Sequence, residues 1–349
     1  MGLARDTVGI ALIGAGSIAE YHLAGIAAAG GAVVHVLAAR SPERAAPLAA
    51  RHGIPDVVIV WRAALDRRDI DAVVICTPDD THEEIAVAAS ESGKAVLLQK
   101  PMAGSVAACR RIIAAAERSG VDLQVSFMHR HFPEVPQARV WLAEQVIGRV
   151  HSLRLRNATP GPDWGDWFFS RANVSGGVVD QLGVHGIDLL LQLFGDIRDV
   201  SARVATLVPT RRLRDGRVIP VETPDTAFAT YGLAGGALAT HEMSQVEVQG
   251  CDRFRMELYG EAGTMWLRSG RGALAVHAPQ RFGAAWHVPQ LAAAPFGQLH
   301  HRTWLDGVTG AAPKLPTARD ALRGMQVVEA IRRSGAAGSA TVAVAGDEA

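Results

Sequence analysis

Val8-Gly9-Ile10-Ala11-Leu12-Ile13-Gly14-Ala15-Gly16-Ser17-Ile18-Ala19 is the stretch on which the fold turns. The apolar run Val8 to Ile13 predicts a buried strand, the G-x-G-x-x-A after it a tight loop, and the alanine-rich run Ser17 to Ala29 a helix. A glycine loop between a strand and a helix aims backbone N–H groups and the positive end of a helix dipole at one point, which suits a pyrophosphate. Gly14 serves the turn, Gly16 lets the backbone approach phosphate without a Cβ, and Ala19 is small enough for close helix-strand packing. Ser17 and Ile18 begin the helix and complete the expected dinucleotide cradle.

Outward from this loop, short β-branched runs alternate with longer helix-like ones. Further strands are predicted at Ala32 to Ala38, Ala72 to Cys76, Ala95 to Gln99 and Val121 to Phe127, with helices at Pro42 to His52, Thr81 to Ser92 and Ser105 to Ser119. Each helix is long enough for a right-handed crossover, so residues 1–127 read as a doubly wound parallel sheet. An NAD site of this kind usually has an acid near the end of its second strand. Here Arg40, Ser41 and Arg44 follow that strand instead, and they suit a 2′-phosphate, so NADP is favoured. The alternative is that Arg40 stacks on adenine and either cofactor is used.

After Phe127 the rhythm changes. A helix at Glu134 to Val146 leads into strands at Val150 to Arg156, Asp199 to Leu207, Thr226 to Leu233, Ala237 to Ser244 and Arg253 to Tyr259, with a last helix at Ala318 to Ser334. Residues 128–349 therefore read as an α+β domain with a mostly antiparallel sheet, and the tail Gly346-Asp347-Glu348-Ala349 as frayed. The fold class is α/β in two domains, consistent with 349 residues at about 150 per domain. With 48% hydrophobic and 20% charged residues the chain is globular, and 35 Lys+Arg against 35 Asp+Glu leaves no field for nucleic acid or a membrane surface. Cys76, Cys109 and Cys251 are too widely spaced for a zinc site and fit a reducing, cytoplasmic setting.

A set of ordered segments carries a resemblance. They are the glycine loop, Ile75-Cys76-Thr77-Pro78-Asp79-Asp80-Thr81-His82, Leu98-Gln99-Lys100-Pro101, and Gly176 to Asp188 with Tyr259-Gly260-Glu261-Ala262-Gly263-Thr264 following. Together they resemble the Gfo/Idh/MocA oxidoreductases over nearly the whole chain. The resemblance implies a Rossmann domain, a second domain whose large open sheet makes a homodimer or homotetramer, and NAD(P)-dependent oxidation or reduction of a sugar, cyclitol or related polyol. It implies cofactor contacts at Cys76, Thr77, His82, Gln99 and Lys100, and makes Lys100 the catalytic lysine of the family's Glu-Lys-Pro motif. Gln99 replaces that motif's Glu and removes a negative charge beside the lysine.

The family's second site is an Asp four residues before a His. Alignment on Gly183-Val184-His185 puts Gln181 at the Asp position, and α-helical phase puts Gln181, not Asp180, on the face of His185. Asp188 stands within reach to fix the imidazole tautomer. As a carbon gives hydride to the nicotinamide its hydroxyl must lose a proton, so His185 is read as the acid/base and Lys100 as the group that holds the reacting oxygen, with the roles exchangeable. Trp164 and Trp167 offer indole faces to a sugar, with Asp163 and Asp166 as acceptors, unless this loop is simply fixed by aromatic packing. Arg130 is read as holding a substrate oxygen or an interdomain carboxylate. The pairs His129/His131 and His300/His301 lack further ligands at metal spacing, so no metal is expected. Other functions compatible with the fold are a cofactor-retaining lyase or glycosidase and a nonenzymatic nucleotide-sensing regulator.

Overall fold

The computed structural model describes residues 7–172, 174, 176–249, 253–269, 271–293, 295 and 297–346. Met1 to Asp6, Cys251 and the last three residues of the tail expected to fray, Asp347-Glu348-Ala349, lie outside the described residues. The chain divides into two units, Met1–His131 with Ala293–Leu322, and Phe132–Ala292 with Arg323–Ala349.

In the first unit, strands β1 (Val8–Ile13), β2 (Ala32–Ala38), β3 (Asp56–Val58), β4 (Ala72–Ile75), β5 (Ala95–Gln99) and β6 (Leu123–Ser126) form one sheet. Their order is β3-β2-β1-β4-β5-β6, and every pair is parallel. Helices α1 (Ser17–Ala29), α2 (Pro42–His52), the short α3 (Arg62–Leu65), α4 (His82–Glu91) and α5 (Val106–Ser119) make the connections. β1 is buried along its whole length, as expected of a central strand in a covered parallel sheet. Ala19, Leu23 and Ile26 of α1 share its core with Leu48 of α2 and Trp304.

The second unit is built on eight strands. After α6 (Glu134–Ala143) come β7 (Val150–Ala158), α7 (Val184–Phe194), β8 (Ile197–Ala205), the hairpin β9 (Thr210–Arg212) and β10 (Val218–Pro220), then β11 (Thr226–Leu233), β12 (Leu238–Ser244), β13 (Phe254–Gly260), β14 (Thr264–Ser269), β15 (Gly272–His277) and the short α8 (Pro279–Phe282). Helix α9 (Gln298–Thr309) belongs to the first unit and supplies Trp304 to its core; α10 (Thr317–Ala336) and β16 (Val342–Ala343) end the chain. The large sheet runs β15-β14-β13-β7-β12-β11-β8-β16, antiparallel except where β7 pairs with β12. No helix among the described residues is long and apolar enough to cross a membrane.

Candidate active site

In the first unit, β2 lies on one side of β1 and β4 on the other, so the strand order reverses between β1 and β4. Sheets of this type bind ligands at the carboxyl ends of the strands flanking that reversal. Gly14 leaves β1 there with φ +105°, and a Cβ on it would lie 2.8 Å from the Cys76 carbonyl carbon and oxygen and 3.0 Å from the Thr77 nitrogen. Only glycine fits. Gly16 differs, because no heavy atom comes within 4 Å of the place its Cβ would take. It caps α1 without a side-chain bond, and the helix that starts at Ser17 and Ile18 opens onto that space. The cradle thus fits a pyrophosphate by shape and by dipole. Ala19, fully buried, packs as expected.

Two residues carried over from the resemblance do not present their side chains. The Cys76 thiol belongs to the hydrophobic cluster, and burial pushes its pKa up, so only the backbone of Cys76 borders the loop. His82 is 1% exposed, with Nδ1 2.9 Å from the Pro101 carbonyl and Nε2 2.9 Å from the Thr77 carbonyl. It ties the turn after β4 to the turn after β5. Thr77 Oγ1 accepts from the Thr81 hydroxyl at 2.8 Å.

Gln99 ends β5, buried, and its Oε1 accepts from the Lys100 backbone N–H at 3.2 Å. Lys100 follows, half-buried. Arg130 is 8% exposed, its guanidinium 3.0 Å from Asp320 and over the Phe127 ring. Of the two partners considered for Arg130, the structure shows a carboxylate, and Asp320 belongs to the same unit rather than to the other. His131 and His300 are stacked at 4.8 Å, and His300 meets the Tyr21 hydroxyl at 2.9 Å.

Just past β2, Arg40 is exposed. The Ser41 hydroxyl donates to the Glu43 carboxylate at 2.6 Å, and that bond holds the Glu43 pKa below its usual value. A carboxylate that sequence reasoning left aside therefore stands beside the residue chosen for a 2′-phosphate.

In the second unit, residues Val179–Gly183 form one turn of π-helix before α7. The α-helical phase used to separate Asp180 from Gln181 does not hold across it, because an i→i+5 turn takes more residues per revolution. The contacts do separate them: Asp180, fully buried, pairs with Arg332, and Gln181 is 7% exposed. His185 is 5% and Asp188 2% exposed, both on α7. The helix seats on the sheet through two glycines. A Cβ on Gly183 would run into the Met243 sulfur, and one on Gly186 would lie 2.6 Å from Asn157 Oδ1 and 2.8 Å from the His241 ring. Beneath Gly186 the Tyr231 hydroxyl lies 3.0 Å from His241 Nδ1, and His241 Nε2 2.8 Å from Asn157 Oδ1. The amide oxygen accepts, so His241 donates from Nε2 and accepts at Nδ1. Burial lowers its pKa to about 3 and keeps it neutral. These residues lie on β7, β11 and β12, and no local motif announced them.

The aromatic loop is fixed by its own packing. Trp164 lies 5.9 Å from Trp167, which lies 5.3 Å from Phe168. Asp163 pairs with Arg214 at 2.7 Å and Asp166 with Arg217 at 2.8 Å, so both acids are drawn toward the β9–β10 hairpin rather than left for sugar hydroxyls. Trp164 remains 42% exposed.

With this geometry in hand, comparisons with known proteins agree in kind. Residues 8–127 match the oxidoreductase family with an NAD-binding Rossmann fold, and residues 135–266 match the GFO/IDH/MocA C-terminal domain. An inositol 2-dehydrogenase 2 of Saccharopolyspora erythraea is 32% identical over 75% of this chain and 73% of that protein. A levoglucosan dehydrogenase of Pseudarthrobacter phenanthrenivorans is 28% identical over 66% of this chain and 63% of that protein, so the match spans just under two thirds of its length. A solved levoglucosan dehydrogenase, in complex with NADH and levoglucosan, superposes with a TM-score of 0.86 at 25% identity, covering 97% of this chain and 99% of that one.

Proposed function

Because the chain belongs to the Gfo/Idh/MocA family of NAD-binding oxidoreductases, we propose that it moves a hydride between a nicotinamide cofactor and a carbon of a sugar, cyclitol or related polyol. The observation that carries the reading is Gly16, a glycine beside open space at the start of α1, next to a Gly14 that no other residue can replace. When bound, the nicotinamide accepts or supplies the hydride. Gly14, Gly16, Ser17 and Ile18 hold the pyrophosphate, and the backbone of Cys76 and Thr77 borders it. Lys100 is assigned to hydrogen-bond the reacting oxygen and stabilise its charge, and His185 to take or return the hydroxyl proton. Gln181 and Trp164 are assigned to substrate hydroxyls and ring faces. A fluorescence titration with NADH tests the cradle: Gly16→Val should weaken binding by at least about tenfold, a loss of roughly 1.4 kcal/mol, and unchanged binding contradicts the assignment.

Cofactor choice is the finer part of the proposal. Exposed Arg40 attracts a 2′-phosphate, and the Glu43 carboxylate repels it and suits ribose hydroxyls, which together favour use of both NAD and NADP. Arg40→Ala should then weaken NADPH more than NADH, and Glu43→Gln should strengthen NADPH; equal shifts for the two cofactors contradict this. The face of the large sheet that exposes Phe228 at 56% and Leu238 at 66%, between charged side chains such as Arg154 and Glu257, supports a homodimer or homotetramer. A solution mass near 36.9 kDa would contradict it. Action in the cytoplasm completes the reading and rests on cysteine usage alone.

A further inference from the structure

Behind Lys100 lies a row of buried polar side chains that none of the steps above uses. Gln99 Nε2 is 2.7 Å from His22 Nε2 and 3.2 Å from Ser126 Oγ, His22 Nδ1 is 2.9 Å from His301 Nε2, and His301 Nδ1 is 2.8 Å from the Gly297 carbonyl. His22 and His301 are both 0% exposed, and Gly25 makes room for the second, since a Cβ there would run into its ring. The carbonyl at the far end only accepts, and this fixes every bond in the row. His301 donates from Nδ1, so its Nε2 accepts; His22 donates from Nδ1, so its Nε2 accepts; residue 99 must donate. An amide does so while its oxygen takes the Lys100 N–H at 3.2 Å. A carboxylate at 99 cannot donate, and the row would then need one more proton, on His22.

We propose that His22 and His301 are positioning residues for Lys100, acting through Gln99: a one-way hydrogen-bond row that fixes the orientation of the Gln99 amide and keeps its surroundings uncharged. The inference rests on the assignment of Lys100 above. It gives the exchange of the family's Glu for Gln99 a physical partner in the same unit. The other groups near His22 agree with a neutral row. Tyr21 and His300 flank it, His300 in turn faces His131 and Arg130, and burial with these neighbours lowers the pKa of His22 and His300 and brings that of His301 to about 4.

The test has three readings on the full-length protein. Imidazole 15N NMR of the wild type should show His22 and His301 neutral and protonated on Nδ1; a charged ring, or either ring protonated on Nε2, overturns the proposal. Gln99→Glu should make His22 an imidazolium with a raised pKa, so this variant loses stability as pH rises through that value. The wild type loses it instead as pH falls below about 6.5, the unfolded value for a histidine buried neutral. Equal slopes in the two proteins overturn the proposal. Finally, His22→Phe should lower kcat about tenfold or more with NADH affinity unchanged, and His22→Gln, which can still donate and accept, should restore it. Lys100→Met is assayed alongside. Loss of activity in Lys100→Met with none in His22→Phe overturns the positioning role, whereas full activity in Lys100→Met overturns the assignment of Lys100 itself.

Discussion

Each unit brings backbone against a neighbour at a distance that only glycine permits, but the two approaches differ in kind. At Gly14 the neighbour is the backbone of Cys76 and Thr77, just past the end of the adjacent strand β4, and φ is +105°. At Gly186 the neighbours are the side chains of Asn157 and His241, held with Tyr231 in a buried row, and the glycine is helical. Backbone against backbone has nowhere to yield, whereas side chains shift by a few tenths of an ångström at a cost in hydrogen bonds. The first approach therefore behaves as an all-or-none element and the second as a graded one.

The hardest break is Gly14→Val. Strain at positive φ adds to a backbone clash, so NADH affinity should fall about a hundredfold and stability by roughly 3 kcal/mol, measured by titration and by denaturant unfolding. Gly186→Ala is milder. It should cost about 1–3 kcal/mol and lower kcat while leaving the NADH Kd unchanged, since the disturbance is confined to the unit carrying His185. If it weakened NADH as much as Gly14→Val, the contrast between the units would fail.

The buried histidine sharpens the comparison through pH. His241 has a folded pKa of about 3, below the unfolded value, so its contribution is full above about 6.5 and is lost as pH falls below that. His241→Gln should flatten the fall in unfolding midpoint on acidification, and a slope identical to wild type would contradict a neutral His241. The smallest effect belongs to the surface. Asp166→Asn breaks only an exposed pair with Arg217, and its unfolding midpoint should match wild type within error.

What the sequence made legible follows the same divide. The strand, loop and helix from Val8 to Ala29 lie where local pattern puts them, because turn chemistry and apolar period act over a few residues. Of the eight-stranded sheet, β7, β8, β11, β12 and β13 were legible as strands, whereas β14, β15, β16 and the one parallel pair, β7 with β12, were not. The turn at Val179–Gly183 removes the ground of the phase argument, because π geometry leaves no signature in residue spacing, although the contacts still separate Asp180 from Gln181. Sites assembled across the chain were the least readable. Gln99, His22 and His301 are separated by 77 and 279 positions, and Arg130 from Asp320 by 190, so no spacing rule brings them together. Their geometry explains why Arg130, read with two possible partners, is half of a buried ion pair with Asp320, and why His301, read only beside His300, joins His22 behind Lys100.

The most direct measurement is the rate of nicotinamide reduction or oxidation by wild type and Lys100→Met over a panel that includes levoglucosan, myo-inositol and 1,5-anhydro-D-fructose, with NADH affinity measured on both proteins. The account predicts turnover of at least one polyol by the wild type, and a Lys100→Met variant that still binds NADH but turns over at least about a hundredfold more slowly. A wild type that does not bind NADH, or a Lys100→Met enzyme as fast as the wild type, would contradict it.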